Sequence, residues 1–133
     1  MFGITRYVEA GRFAFPLQAP AAGMLLVVSL VLMVAAGLTF VRAKTTINPL
    51  RPERTSSLVT TGVFTWSRNP IYFADLLLLA ALALWLGQAF AFALLPLFVV
   101  YLNHFQIVPE EETLLRLFGA QYDAYRSRVR RWL

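Results

Sequence analysis

The sequence lacks cysteine and has a single histidine, His104, among its 133 residues. Without cysteine the chain cannot form disulfides or thiolate metal sites, and one histidine cannot supply a histidine cluster, so we expect no metal site. Charge is also scarce, because 14% of the residues are charged whereas a typical soluble domain has about a quarter. These shortages argue against a soluble metalloprotein and against a small disulfide-linked domain.

Apolar residues take the place of the missing charge. They make up 59% of the chain, and the mean hydropathy is +0.63. We therefore interpret residues 1–133 as one integral membrane domain. The net charge of +5 suits either nucleic acid or anionic lipid headgroups. Because no basic stripe accompanies a soluble fold, we expect membrane lipids as partners and no nucleic acid.

Three apolar stretches predict an all-α integral membrane protein with three transmembrane helices. The predicted order is an interfacial segment at 1–20, a first transmembrane helix at 21–42, a polar loop at 43–68, a transmembrane hairpin at 69–105 and a helical tail at 106–133. Gly87 and Gln88 are the turn signal of the hairpin and should form a tight turn. In the tail, Pro109 suits the first position of one helix, and Gly119 should end that helix before a second begins.

The distribution of basic residues predicts the orientation in the membrane. The end of the first span and the loop, residues 42–68, contain Arg42, Lys44, Arg51, Arg54 and Arg68. The tail contains Arg116, Arg126, Arg128, Arg130 and Arg131, whereas the hairpin turn contains none. Because positively charged segments stay in the cytoplasm, we expect the loop and the C-terminus to be cytoplasmic. We interpret the last four arginines of the tail as a patch that binds lipid headgroups.

Two motifs flank the predicted hairpin and place ionisable groups at the edge of a membrane segment, where charge is costly and indicates a site. The first is Gly62-Val63-Phe64-Thr65-Trp66-Ser67-Arg68-Asn69-Pro70-Ile71-Tyr72, and the second is Pro109-Glu110-Glu111 followed by Leu114, Phe118, Gly119, Tyr122 and Tyr125. Together they resemble the isoprenylcysteine carboxyl methyltransferase and phospholipid methyltransferase superfamily. That superfamily shows Gly-x-Tyr/Phe-x-x-x-Arg-His-Pro-x-Tyr before a membrane hairpin and Glu-Glu-x-x-Leu-x-x-x-Phe-Gly-x-x-Tyr-x-x-Tyr after it. The segments Thr45–Pro49 and Val129–Trp132 look like bacterial members, which implies a multi-pass protein of the bacterial inner membrane.

The resemblance implies a membrane methyltransferase that uses S-adenosylmethionine and methylates a hydrophobic or amphiphilic acceptor. Arg68 would pair with the carboxylate of the donor, and Glu110 or Glu111 would hold its ammonium or ribose hydroxyls. Tyr72 would pack on the adenine or face the sulfonium, as would Phe64 and Trp66. We assign Arg68, Tyr72 and Glu111 as catalytic. The full set of predicted donor-binding residues is Leu58, Val59, Phe64, Arg68, Asn69, Pro70, Tyr72, Glu110 and Glu111.

Two further residues are assigned to the acceptor substrate. Gln106 stands where the lipid-cysteine methyltransferases of the superfamily place an arginine that holds the acceptor carboxylate. Asp75 lies about one turn inside a membrane helix, where a carboxylate is costly. Asn69 stands where the superfamily usually has histidine. The N-terminal membrane helix typical of relatives is missing from the pattern, so a homodimer that completes the site is a further expectation.

Other interpretations of the same residues remain open. Asn69 and Pro70 also form an ordinary N-cap and first-turn pair, and residues 110–112 suit the start of a helix. The residues Tyr72-Phe73-Ala74-Asp75 also resemble the Tyr-Phe-Gly-Asp/Glu pattern of NADPH-dependent sterol reductases. A non-catalytic membrane protein that retains the fold is the third alternative. Binding of the methyl donor, of NADPH or of neither separates these three functions.

Overall fold

The computed structural model describes residues 11–42 and 58–132, and these residues are helical apart from turns and an isolated bridge between Arg12 and Gln88. The α-helices are α1 Gln18–Arg42, α2 Pro70–Leu86, α3 Leu94–Leu102, α4 Val108–Phe118 and α5 Ala120–Arg128. Short 3-10 helices at Gly62–Thr65 and Ala89–Ala93 and a π-helix at Asn103–Ile107 complete the order. The predicted all-α class is confirmed for this part of the chain. The motif at Thr45–Pro49 and most of the polar loop lie outside the described residues.

Two helices are long and apolar enough to cross a membrane. They are α1, with 25 residues, and the continuous helical stretch Ala89–Phe118, with 30 residues. At about 1.5 Å per residue they cover roughly 37 and 45 Å, more than the ~30 Å hydrocarbon core. The third apolar helix, α2, has 17 residues and covers only about 25 Å. The count of three spans therefore remains a prediction, and the first span begins at Gln18 rather than at 21.

Helices α1 and α2 pack antiparallel along a seam of small residues. Ala22, Ser29 and Ala36 recur every seven residues on α1, and all three are buried. The Ser29 hydroxyl donates a hydrogen bond of 2.6 Å to the carbonyl oxygen of Ala74 on α2. Because lipid tails are as apolar as the side chains, membrane helices associate through close packing and such hydrogen bonds rather than through the hydrophobic effect. The small side chains permit that close approach.

The hairpin turn lies where the sequence predicts it. Gly87 ends α2 in the left-handed region, with φ of +65°, which glycine adopts without strain. A Cβ at this position would lie 2.5 Å from the carbonyl oxygen of Phe13, so the close approach of the N-terminal segment also requires glycine. Phe13 N–H donates to the Gly87 carbonyl at 2.8 Å, and Ala89 N–H donates to the Gly11 carbonyl at 2.7 Å.

Helical structure continues across the predicted boundary between hairpin and tail at 105/106. The helical stretch that begins at Ala89 reaches Phe118 without a break, and Pro109 lies in the first turn of its α4 segment, as predicted. Proline lacks the N–H that would bond four residues back, and its ring collides with that carbonyl. The π-turn at Asn103–Ile107 accommodates it, with the Val108 N–H bonded to the carbonyl of Asn103, five residues back. The sequence pattern identified the proline but not this accommodation.

Gly119 ends the long helix as predicted and folds the tail back onto the bundle. Its φ of +53° lies in the left-handed range that favours glycine. Helix α5 then packs against the core with two buried tyrosines. That core consists of Ala36, Val59, Phe64, Tyr122, Tyr125 and Val129, with Phe40, Leu58, Val63, Ile71, Leu114 and Phe118 packed around it. The second motif therefore forms a corner between two helices, with Gly119 at the bend. Its tyrosines hold the tail against the segment Leu58–Asn69 at the same end of the bundle.

We predict that Ala36→Leu destabilises the protein by about 1–3 kcal/mol, the usual cost of overpacking, because Ala36 is fully buried in this core. The matched control is Ala19→Leu, the same change at an exposed position of α1. Thermal unfolding of the detergent-purified variants measures both effects. Equal melting temperatures for the two variants would contradict the packing described here.

Candidate functional site

Arg68 and Glu111 form an ion pair at the end of the bundle where the tail returns. Arg68 immediately precedes the Asn69-Pro70 entry into α2, and Glu111 lies on α4. The Arg68 Nη1 atom is 3.2 Å from Glu111 Oε1, and the two side chains are 13% and 15% exposed. Glu111 lies in the first turn of α4, which follows the π-turn without a break. The charged partners of its carboxylate are arginine side chains.

A second arginine from the C-terminal segment completes this cluster. Arg131 donates from Nε to Glu111 Oε1 at 2.8 Å and from Nη2 to Glu111 Oε2 at 2.9 Å. This is the two-pronged geometry that makes arginine–carboxylate pairs strong and specific. The sequence assigns Arg131 to the headgroup patch, whereas in the structure its guanidinium pairs with Glu111. The similarity of Val129–Trp132 to bacterial relatives was the one signal that pointed to a role for this segment.

Backbone and side-chain hydrogen bonds fix the C-terminal segment beside Arg68. Arg68 N–H donates to the carbonyl of Arg130 at 3.0 Å, and Asn69 Nδ2 donates to the carbonyl of Arg131 at 2.9 Å. Trp132 Nε1 donates to Asn103 Oδ1 at 3.0 Å. Asn69 occupies the N-cap position of α2, but its side chain makes no capping bond. Its side-chain amide is hydrogen-bonded to the C-terminal segment instead, so Asn69 fixes that segment and does not cap the helix.

The second half of the site is a hydrogen bond between Tyr72 and Glu110. The Tyr72 phenol donates to Glu110 Oε1, which joins the first turn of α2 to α4. Both side chains are half-buried. Two carboxylates on adjacent residues thus have separate partners, because Glu110 faces a phenol and Glu111 faces two guanidinium groups. The site therefore offers one region of negative charge and one of positive charge.

Two buried tyrosines of α5 support the arginine. Arg68 Nη1 donates to the phenol oxygen of Tyr122 at 3.2 Å, and the Tyr125 phenol donates to the carbonyl of Phe64 at 2.7 Å. Burial is the largest cause that raises the pKa of both phenols. Both tyrosines consequently stay protonated at neutral pH, so that Tyr125 remains a donor and Tyr122 presents no negative charge of its own to Arg68.

One polar atom of Arg68 is buried without a partner. Its Nε has no hydrogen-bond acceptor among the residues that the structure describes. A buried donor without an acceptor costs about 1–3 kcal/mol, more for a charged group. Arg68 Nε is therefore a charged donor that neither Glu111 nor Tyr122 satisfies.

The structure does not gather every predicted donor-binding residue at this site. The buried residues Val59 and Phe64 belong to the core, and Phe64 packs edge-on against Phe40 with ring centroids 5.3 Å apart. Leu58 packs against that core, and Pro70 is buried at the start of α2. Trp66 is 75% exposed. Leu58, Val59, Phe64 and Pro70 are thus packing residues. The polar contacts of the site are made by Arg68, Asn69, Tyr72, Glu110 and Glu111.

The two residues assigned to the acceptor lie one turn further into the bundle. Asp75 follows Tyr72 by three residues on α2, and Gln106 precedes Glu110 by four residues in the long helix. Residues at these separations lie on the same helix face. Because the arms run antiparallel, both steps lead toward the hairpin turn. Gln106 also falls within the π-turn, a feature that is frequent at functional sites.

A separate open groove of about 400 Å³ lies on the other side of the Gly62–Thr65 turn. Its lining residues are Ala35, Leu38, Thr39, Arg42, Gly62, Val63, Thr65 and Trp66. The lining is mostly apolar and includes none of the charged residues of the Arg68–Glu111–Arg131 cluster. Such a surface suits a hydrocarbon chain. The charged pairs of Arg68, Glu111 and Arg131 lie outside this groove.

We predict that Glu111→Ala lowers the free energy of unfolding by about 1.5–3 kcal/mol, because it leaves two arginines without their charged hydrogen-bond acceptor. The matched control is Asp123→Ala, which removes an ion pair with Arg126 whose side chains are 61% and 41% exposed. An exposed pair contributes only about 0–1 kcal/mol. Chemical denaturation in detergent measures both changes. If Asp123→Ala costs as much as Glu111→Ala, the cluster is not the stabilising contact described here.

Comparison with known proteins agrees with the motifs. The family described as phospholipid methyltransferase matches residues 17–121. An uncharacterized protein of Haemophilus influenzae (strain ATCC 51907 / DSM 11121 / KW20 / Rd) is 43% identical over 63 residues, which are 47% of this chain and 100% of that protein. No solved structure matches the chain. The family match covers most of the sequence, including Arg68 of the first motif and Glu110 and Glu111 of the second. This chain therefore belongs to the phospholipid methyltransferase family, which indicates a membrane methyltransferase.

Proposed function

We propose that this protein transfers a methyl group from S-adenosylmethionine to a lipidic or amphiphilic acceptor at the membrane interface. The observation that carries the proposal is the meeting of Arg68 with Glu111 and of Tyr72 with Glu110 across the hairpin. Neither pair is local in the sequence. A structural protein has no evident need for four such polar groups at the mouth of an apolar bundle, where each is costly.

The charges of these residues fit the donor. S-adenosylmethionine carries a carboxylate, an ammonium, a sulfonium and two ribose hydroxyls. Arg68, with its unpartnered buried Nε, would hold the carboxylate. Glu110 would hold the ammonium or a ribose hydroxyl, and the Tyr72 ring beside it suits a cation. Glu111 keeps Arg68 in place through their ion pair.

When bound, S-adenosylmethionine supplies an electrophilic methyl group on a sulfonium leaving group. Such a displacement depends mainly on alignment and on exclusion of water rather than on a strong acid or base. The half-buried Tyr72 and Glu110 and the buried Tyr122 restrict access of water to the site. Where the acceptor loses a proton, the carboxylate of Glu110, whose Oε1 accepts a hydrogen bond from the Tyr72 phenol, would take that proton.

The position of Asp75 and Gln106 suggests the direction from which the acceptor enters. Both lie nearer to the hairpin turn than the charge pairs do, and therefore nearer to the apolar part of the bundle. An amphiphilic acceptor that enters from the membrane would meet these polar groups before the donor-binding charges. The cytoplasmic orientation, the bacterial inner membrane and the homodimer remain predictions of the sequence.

We predict that the detergent-purified protein binds S-adenosylhomocysteine, the product form of the donor, in isothermal titration calorimetry. Arg68→Ala and Glu110→Gln should each weaken this binding by about 1.5–3 kcal/mol, the range for a hydrogen bond to a charged group. The matched control is Glu112→Gln, the same change at an exposed residue two positions further along α4, which should bind as wild type does.

Three outcomes contradict the proposal. If the wild-type protein binds S-adenosylhomocysteine and the Arg68 and Glu110 variants bind it equally well, the donor lies elsewhere. If the wild-type protein binds NADPH instead, the reductase alternative replaces the methyltransferase. Binding of neither compound supports the non-catalytic alternative.

A further inference from the structure

The Arg68–Glu111–Arg131 cluster has more positive than negative charge. Two guanidinium groups share one carboxylate, so the formal charge of the cluster is +1. Both oxygens of Glu111 accept from Arg131, whereas Arg68 contacts only one of them. Arg131 is therefore the main partner of Glu111, and Arg68 keeps donors that Glu111 does not use.

The cluster is built so that Arg131 can hold this position. Val129, two residues before it, is buried in the core. Trp132, directly after it, is hydrogen-bonded to Asn103 at 3.0 Å. The carbonyl of Arg131 itself accepts from Asn69. Its guanidinium is consequently presented to Glu111 from a segment that is anchored on both sides, unlike the exposed Arg126 and Arg128 of α5.

We propose that Arg131 is a positioning residue of the donor site. It neutralises Glu111 so that Arg68 remains free to bind the carboxylate of the methyl donor. Without Arg131, Glu111 would engage Arg68 with both oxygens, because a buried carboxylate takes the strongest charged partner within reach. The donor carboxylate would then have to compete with Glu111 for the same guanidinium. This inference rests on the proposed function and extends it to a residue outside both sequence motifs.

The test compares two ligands that differ in the amino-acid end of the donor, whose carboxylate the cluster would bind. S-adenosylhomocysteine has an amino-acid end with a carboxylate, whereas methylthioadenosine is a thioether nucleoside without that end. We expect Arg131→Gln to weaken binding of S-adenosylhomocysteine about tenfold or more. Binding of methylthioadenosine should change by less than about threefold, since a neutral ligand end does not need Arg68.

Two additional variants separate positioning from folding. Glu111→Gln combined with Arg131→Gln should bind S-adenosylhomocysteine about threefold or more tightly than Arg131→Gln alone, because a neutral amide no longer competes for Arg68. The double variant should still bind less tightly than wild type, because the ion pair that keeps Arg68 in place is lost as well. Arg131→Lys, which keeps the charge but not the two-pronged geometry, should fall between wild type and Arg131→Gln. The matched control is Arg126→Gln, whose exposed pair with Asp123 lies outside the cluster and whose binding should equal that of wild type.

Three results would overturn the inference. The first is binding of S-adenosylhomocysteine by Arg131→Gln at the wild-type affinity. The second is loss of affinity for both ligands in equal proportion, as substitution of a purely structural residue would cause. The third is a double variant that binds S-adenosylhomocysteine no better than Arg131→Gln does. A wild-type protein that binds neither ligand overturns the proposed function itself, so the two failures are distinguishable.

Discussion

The carboxylate of Glu111 meets the guanidinium groups of Arg68 and Arg131, and this contact joins three parts of the chain that are distant in sequence. A charge at the edge of an apolar bundle is costly unless it is paired. Glu111 is 15% exposed, and its carboxylate contacts both guanidinium groups. The pairing therefore determines where the entry of α2 and the C-terminal segment must lie.

The rest of the fold makes that meeting possible. The seam of small residues around Ser29 holds α1 close to α2, and the Gly87 turn returns the chain along the same axis. The corner at Gly119 then folds α5 back, so that Tyr122 reaches Arg68. Each of these features costs little free energy in apolar surroundings, because its backbone N–H and C=O groups are hydrogen-bonded within the protein. Together they place polar side chains at one end of an otherwise apolar bundle.

Much of this arrangement is predictable from the sequence, and the remainder depends on tertiary contacts. Gly87 and Gly119 predict the two turns from the local sequence alone. The two motifs indicate a shared site, because the outer ends of the two hairpin arms lie on the same side. The helix through Pro109 was not predictable, because a π-turn depends on how a long helix accommodates a proline in context. Arg131 was not distinguishable from its neighbouring arginines, since only the folded tail decides which of them faces a carboxylate.

Photochemical cross-linking of S-adenosylmethionine with a tritiated methyl group tests the central claim most directly. The detergent-purified protein is irradiated with the bound donor, digested, and the labelled peptides are identified by mass spectrometry. The account predicts label on the segments around Tyr72 and around Glu110, at the site that Arg68 and Glu111 build. Label confined to the groove beside Thr39 and Trp66, or label that excess S-adenosylhomocysteine fails to displace, would contradict it.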